Sequence, residues 1–433
     1  MIATPVRLPI TVIDMAETPA FRVARVLLVG TLLAAPLAFG AVQTWAWASL
    51  CVLVSGALIC WAAGSVRDKA IRILWTPLYV PALAFLGVVV LQVITRHTVD
   101  PIATREALLK GTTYVVIFFL SVNLFADAAR RSWRVLGWTI TVYTYAFAVF
   151  AIVQFFSSPD KIFWTVKPRW GGYVFGSYVS HNHYAGLMEM LIPVVVAFLL
   201  STSNRGSQRY LVGFGLLVAL SSMVLCGSRG GAAALLVEAA LLALAMGRLR
   251  PSREKLIGAV AFVVLVFGMA VWLVPANVSQ RFSATIQSPD IAYGIRRNMT
   301  VDSLRMFRDH ALLGVGLGGF EAVYPRYQSF ASDFLIDYAH NDYVQFLAET
   351  GVAGGAILLV AIVVFGDRFV RQCRAGLITE RSFIRLGAFL ACIGLLAHSW
   401  VDFNLHIPAN AALFAFLLGI TQTSPESQTG RFA

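Results

Sequence analysis

Apolar residues run along this chain in long blocks, each close to the roughly 20 residues that a helix needs to cross hydrocarbon. The blocks fall near residues 26–43, 45–64, 74–94, 111–126, 134–156, 184–201, 210–226, 231–246, 257–275, 347–366, 386–400 and 407–422. In lipid only helices and closed barrels satisfy their own backbone, and blocks this long suit helices. The pattern predicts an all-α polytopic membrane protein of about twelve transmembrane helices. It is interrupted at length only over residues 277–338, which predicts one long polar loop carrying short helices within a single membrane domain, 1–433. A loop of that length in so apolar a chain is where function is expected.

Composition sharpens this. The chain is 58% hydrophobic and 13% charged, with a mean hydropathy of +0.74, outside the range of soluble domains. A net charge of +12 would suggest nucleic acid in a soluble protein. Here the cations instead alternate between connections. Arg67, Lys69 and Arg72, then Arg130, Arg131 and Arg134, then Arg248, Arg250, Arg253 and Lys255, then Arg368, Arg371 and Arg374 all fall on one side. The positive-inside rule places both termini in the cytoplasm and the long loop outside. The charge is used for orientation, and no nucleic-acid partner is expected. The first apolar block follows an Arg-bearing segment and precedes eleven more, so it reads as an uncleaved anchor. The five cysteines show neither disulfide nor zinc spacing.

Four polar features open on the outer side: KPRWGGYVFGSYVSHNHYAG (167–186), CGSRGG (226–231), the long loop, and HSWVDFNLHIPAN (398–410). In CGSRGG, Arg229 stands at a span end among glycines, suited either to an anion or to snorkelling toward the interface. The loop segment RRNMTVDSLRMFRDH (296–310) has helix-forming character. At about 100° per residue Arg297, Arg305 and Arg308 share an arc, which suits a phosphate group, although Val301 and Leu304 fall in it too. GVGLGG (314–319) matches G-x-G-x-x-G in letters alone. It follows a helix pattern instead of a strand, so close backbone packing is the better reading.

In DYAHNDYVQFLAETG (337–351), a helix beginning near Ala339 would set His340 in its first turn, where the helix dipole disfavours imidazolium and leaves a ring able to accept a proton. Asn341, Gln345 and Glu349 then line one face; a capping cluster is the plainer alternative. His181 and His183 flank Asn182 before the sixth span, at a spacing that favours hydrogen bonding to a substrate over metal binding. Glu189 and Glu238 fall inside spans and each needs a partner or a proton. No D-x-D occurs, so a metal-held nucleotide sugar is poorly supported, and neither metal nor cofactor is expected. A lipid-linked phosphate fits better: its chain between helices, its charge on arginines, its sugar at the loop.

On SRG (228–230), the arginine-bearing loop ending DHALLGVGLGGF and AHNDYVQFLAETG, the chain resembles the O-antigen ligase and polymerase superfamily of bacterial envelope polysaccharide enzymes. The resemblance spans roughly residues 180–354. It implies metal-independent transfer of a glycan from an undecaprenyl-pyrophosphate carrier to an acceptor hydroxyl, on the periplasmic face of the inner membrane. By the same resemblance Arg229 and Arg297 would hold the pyrophosphate, with Arg296 and Arg305 in reserve, and His340 would activate the acceptor. His181 and Asn341 are expected to bind substrate. The acceptor is a lipid A core for a ligase, the favoured reading, and another glycan for a polymerase. A flippase of lipid-linked glycan, with Glu189 and Glu238 as proton sites, is the alternative from another class; it would call for paired discontinuous spans, which the sequence does not display.

Overall fold

The computed structural model describes residues 18–169, 172–201, 206–248, 289–332, 335–375 and 379–423. Among them the chain is helical, with two isolated bridges, Ile162 to Val166 and Phe175 to Tyr178. The helices are α1 (Pro19–Ala34), α2 (Thr44–Arg67), α3 (Tyr79–Ile94), α4 (Pro101–Phe125), α5 (Arg130–Ser157), α6 (His181–Leu200), α7 (Ser207–Cys226) and α8 (Arg229–Arg248). There follow α9 (Pro289–Asp309), α10 (Phe320–Val323), α11 (Asp342–Ala375), α12 (Glu380–His398) and α13 (Pro408–Gln422). Among the described residues nine helices are long and apolar enough to span a membrane, and α3 and α13 are shorter apolar helices. These correspond to eleven of the expected blocks. The block at 257–275 and the first part of the long loop, 277–288, lie outside the described residues. The remainder of that stretch, where short helices were expected, carries α9, which is 21 residues long, and the four-residue α10.

Two helices form the centre. In α6, 83% of the apolar span is buried in protein, and in α12 72%, whereas in α2 the share is 33%. A spanning helix that is apolar all round is normally lipid-facing; α6 and α12 are instead covered by neighbours, so residues on every side of them are available for protein contacts. Their polar members are therefore buried too, and must find partners inside the bundle.

One span is broken. Gly351 in α11 is non-helical at φ 65°, ψ −162°, a backbone open to glycine because it lacks a Cβ. The break frees carbonyls that cannot be left bare. Val315 N–H donates to Ala348 O at 3.0 Å and Gly316 N–H to Glu349 O at 3.2 Å, while Gln92 Nε2 donates to Glu349 O at 2.9 Å. On the other side Val352 N–H donates to Ala311 O at 2.7 Å. GVGLGG is thus the segment that docks on the break. A Cβ on Gly314 would lie 2.2 Å from the Glu349 carbonyl carbon, so close backbone approach accounts for that glycine.

Candidate functional site

α11 begins at Asp342, three residues later than expected from the sequence. Asn341 is the reason: its Oδ1 accepts from Tyr343 N–H and Val344 N–H, each at 3.1 Å, which is the bonding of an N-cap. The carbonyl side of Asn341, offered above as a substrate contact, is therefore occupied by the helix. His340 lies just outside the helix in a left-handed backbone, φ 50°. The premise that placed it in the first turn, under the dipole, does not hold. Its setting is made instead by Asp402.

Asp402 is 1% exposed and sits in the connection between α12 and α13. Its Oδ1 accepts from Phe403 N–H at 2.8 Å and faces two imidazoles, His340 Nδ1 at 3.6 Å and His183 Nε2 at 3.7 Å. Its Oδ2 accepts from Asn182 Nδ2. Burial alone would raise the carboxyl's pKa, but His183 and His340 outweigh it and hold it well below the usual carboxylate range. One carboxylate thereby ties the start of α6, the strap 399–407 and the segment just before α11.

A second carboxylate fixes the same strap. Asp342 Oδ1 accepts from His406 Nδ1 at 2.6 Å, and its Oδ2 accepts from Ser399 Oγ at 2.7 Å and Leu405 N–H at 3.2 Å. Burial pushes His406 toward neutrality, but its hydrogen bond to the Asp342 carboxylate prevails and raises it above the ordinary histidine value. Between the two dyads lies an aromatic pair: Tyr338 stacks on Phe403 at 4.2 Å and 12°, and Phe403 meets the rings of His340 and His183 at 4.8 and 4.7 Å.

The arginines approach from α8 and α9. Ser228 Oγ accepts from Gly231 N–H at 3.1 Å, capping α8 so that Arg229 is its first residue. Gly230 rests on the ring of His398, since a Cβ there would lie 2.4 Å from Nε2. His398 in turn bonds Glu189, Nδ1 to Oε2 at 2.9 Å, which gives that intramembrane carboxylate the partner it needed. Both oxygens of Glu238 are buried without a hydrogen bond, and Glu238 stands near Glu189.

Along α9 the buried stripe is Met299, Asp302, Ser303 and Met306, at helical spacing. Arg296, Arg297, Arg305 and Arg308 are exposed. Arg296 lies within electrostatic reach of His181, whose ring packs on Tyr173 at 4.5 Å. Arg305 bonds Asp302 at 3.2 Å, and the same aspartate accepts from Ser329 and Tyr324, so Arg305 is engaged in holding the loop together. The geometry thus gathers His183 and His340 on Asp402, with Arg296 within electrostatic reach of His181; Arg229 is the first residue of α8, next to the Gly230–His398 contact, Arg297 is exposed on α9 and Arg305 is in a structural pair.

Asp402, Asp342, His398 and His406 carry much of this arrangement, and none was singled out above. HSWVDFNLHIPAN contains three of them, and its density of polar residues between two apolar spans was the available signal.

Residues 214–359 match the family model for O-antigen ligase. The matched stretch runs from α7 to the middle of α11 and contains Arg229, Arg296, Arg297, Arg305 and His340; Asn182, His183, His398 and Asp402 lie outside it. The match bears out the resemblance drawn from the motifs: over this stretch the chain is similar to the O-antigen ligase family. No curated protein matches the chain.

Proposed function

We propose that the protein is a metal-independent glycosyltransferase of the periplasmic face of the inner membrane, and that it moves a glycan from undecaprenyl pyrophosphate to an acceptor hydroxyl as an O-antigen ligase does. The observation that carries this is the contact of His340 Nδ1 with Asp402 Oδ1 at 3.6 Å, in a cluster where Arg296 is within electrostatic reach of His181.

With Nδ1 turned to the carboxylate, the ring's Nε2 is the basic nitrogen. It takes the proton of the acceptor hydroxyl as that oxygen attacks the anomeric carbon. The bond from this carbon to the diphosphate oxygen breaks, and the electron pair leaves with the diphosphate. Arg229 and Arg296 hold the departing charge, with Arg297 next along the loop. The proton on His340 is stabilised by Asp402 until it passes to solvent or to the diphosphate. At 3.6 Å the His340–Asp402 contact is longer than a hydrogen bond, and such contacts commonly tighten when substrate binds. Attack opposite the leaving group inverts the anomeric carbon.

The test is transfer by purified protein from a lipid-linked glycan to candidate acceptors, comparing wild type with His340→Ala and Arg229→Ala. Loss in both variants is expected. Transfer that survives both removes this mechanism. Consumption of a lipid A core identifies a ligase and consumption of a second lipid-linked glycan a polymerase, while movement of the lipid across the bilayer without any acceptor indicates a transporter.

A further inference from the structure

The first turn of α8 is seated on two neighbours at once. Gly231 rests on α6, since a Cβ there would lie 2.7 Å from that of Ala185. Gly230 rests on α12 and the strap, since a Cβ there would lie 2.5 Å from His398 Cδ2 and 3.1 Å from Val401 Cγ2. Buried Ser228 closes the turn by accepting from Gly231 N–H at 3.1 Å. Arg229 stands between these contacts: they fix its backbone, while its side chain is exposed.

Among these supports the imidazole is the one that can turn. The methyl of Ala185 has no rotamer to change, whereas a histidine ring swings about two torsions. Glu189 stops it, because His398 Nδ1 lies 2.9 Å from Oε2 and 3.2 Å from Oε1. With Nδ1–H donated to the carboxylate, the opposite edge of the ring, Nε2 and Cδ2, is turned to Gly230. Glu189 is one turn on from Ala185 along α6, so both face the same way. Both members of the pair are buried, at 0% and 2% exposure, so neither reaches a substrate and neither finds a substitute partner in water. An intramembrane carboxylate is expensive to keep, and this one is placed where it orients a ring. We propose that Glu189 and His398 are positioning residues for Arg229: the carboxylate sets the ring, the ring seats Gly230, and that seat decides where the adjacent guanidinium meets the donor's diphosphate. This rests on the reading of Arg229 as a diphosphate contact.

The test is steady-state transfer by the full-length protein in detergent, with the undecaprenyl-pyrophosphate-linked glycan varied and the acceptor that the transfer assay consumes held in excess. KM belongs to the folded molecules alone, so a lower yield does not mask it. Glu189→Leu removes the hydrogen bond and keeps the apolar volume; donor KM should rise about ten-fold with kcat little changed, the scale of a lost charge-assisted hydrogen bond. Glu189→Gln keeps an oxygen for Nδ1–H and should recover most of that loss. In Arg229→Ala protein, Glu189→Leu should add nothing, because the route it acts by is already cut. His398→Ala should relieve Gly230→Ala, since the missing ring makes room for the methyl group. A donor KM unmoved by Glu189→Leu but raised by Arg229→Ala overturns this proposal and leaves the reading of Arg229 standing. A donor KM unmoved by Arg229→Ala overturns that reading, and this proposal with it. A loss in Glu189→Gln as large as in Glu189→Leu makes the charge itself the requirement, as in a proton path, and overturns the proposal, as do additive effects of Glu189→Leu and Arg229→Ala. Should Glu189→Leu yield no folded protein, the Gly230→Ala and His398→Ala pair decides, and absence of relief overturns the proposal.

Discussion

His340 and His183 approach the same oxygen of Asp402, at 3.6 and 3.7 Å, one from the segment just before α11 and the other from the first turn of α6, far apart in sequence. Replacing Asp402 with Asn keeps the shape and removes the charge that fixes both rings. On the proposed mechanism His340→Gln should cost about 10²–10⁴-fold in transfer rate, the usual contribution of a general base. Asp402→Asn should fall in the same direction without loss of donor binding. Single-turnover transfer and donor binding, measured separately, check both statements.

Gly230 has the ring of His398 directly behind it. An alanine there must push α8 or the ring aside, and Arg229 is the adjacent residue. Gly230→Ala should therefore raise the donor KM more than it lowers kcat. A change confined to kcat would separate Arg229 from donor binding.

Asp342 accepts three hydrogen bonds that clip the strap 399–407 onto the start of α11. Removing it leaves His406 and two further donors unpaired inside the protein. Asp342→Ala should destabilise the fold by about 3–5 kcal/mol, the range for breaking a buried ion pair. A lowered melting temperature in detergent, with reduced transfer from the folded fraction, is the readout.

The same pair sets a pH dependence. The folded His406 titrates above its ordinary value of about 6.5, so its contribution is complete below that pH and is lost as pH rises through the folded value. Wild-type melting temperature should fall on the alkaline side of about pH 6.5, and His406→Gln should flatten that slope. A slope unchanged by the substitution would assign it to another group.

Gly314 stands where a Cβ would meet the backbone of Glu349, whereas Gly87 and Gly213 have open space around them. Gly314→Ala should sharply reduce the yield of folded protein. Gly87→Ala and Gly213→Ala should match wild type. Size-exclusion profiles of the three variants make the comparison.

The spans were legible because hydrophobic length is a property of sequence alone; even α3 and α13, too short for a strict criterion, were marked by their apolar runs. Arg229 and His340 could be picked out as candidates because charge and imidazole stand out in such surroundings. The start of α11 was misjudged because Asn341 and His340 are equally polar, and only backbone geometry tells a cap from the residue before it. Asp402 could not be assigned a role, since its meaning lies in contacts with His183 and His340, which depend on packing between α6, α11 and α12. Arg296 and Arg297 differ by one position, and the turn of α9 decides which of them reaches His181.

The enclosure of α6 has a mechanical result. Thinning or thickening of the surrounding bilayer is absorbed at the rim, where side chains such as Val26, Ile59 and Val363 meet acyl chains and neighbouring helices are free to tilt. A helix with almost no contact with those chains keeps its height, and with it the depth at which Asn182 and His183 clasp their aspartate. Turnover should then be indifferent to acyl length across host membranes.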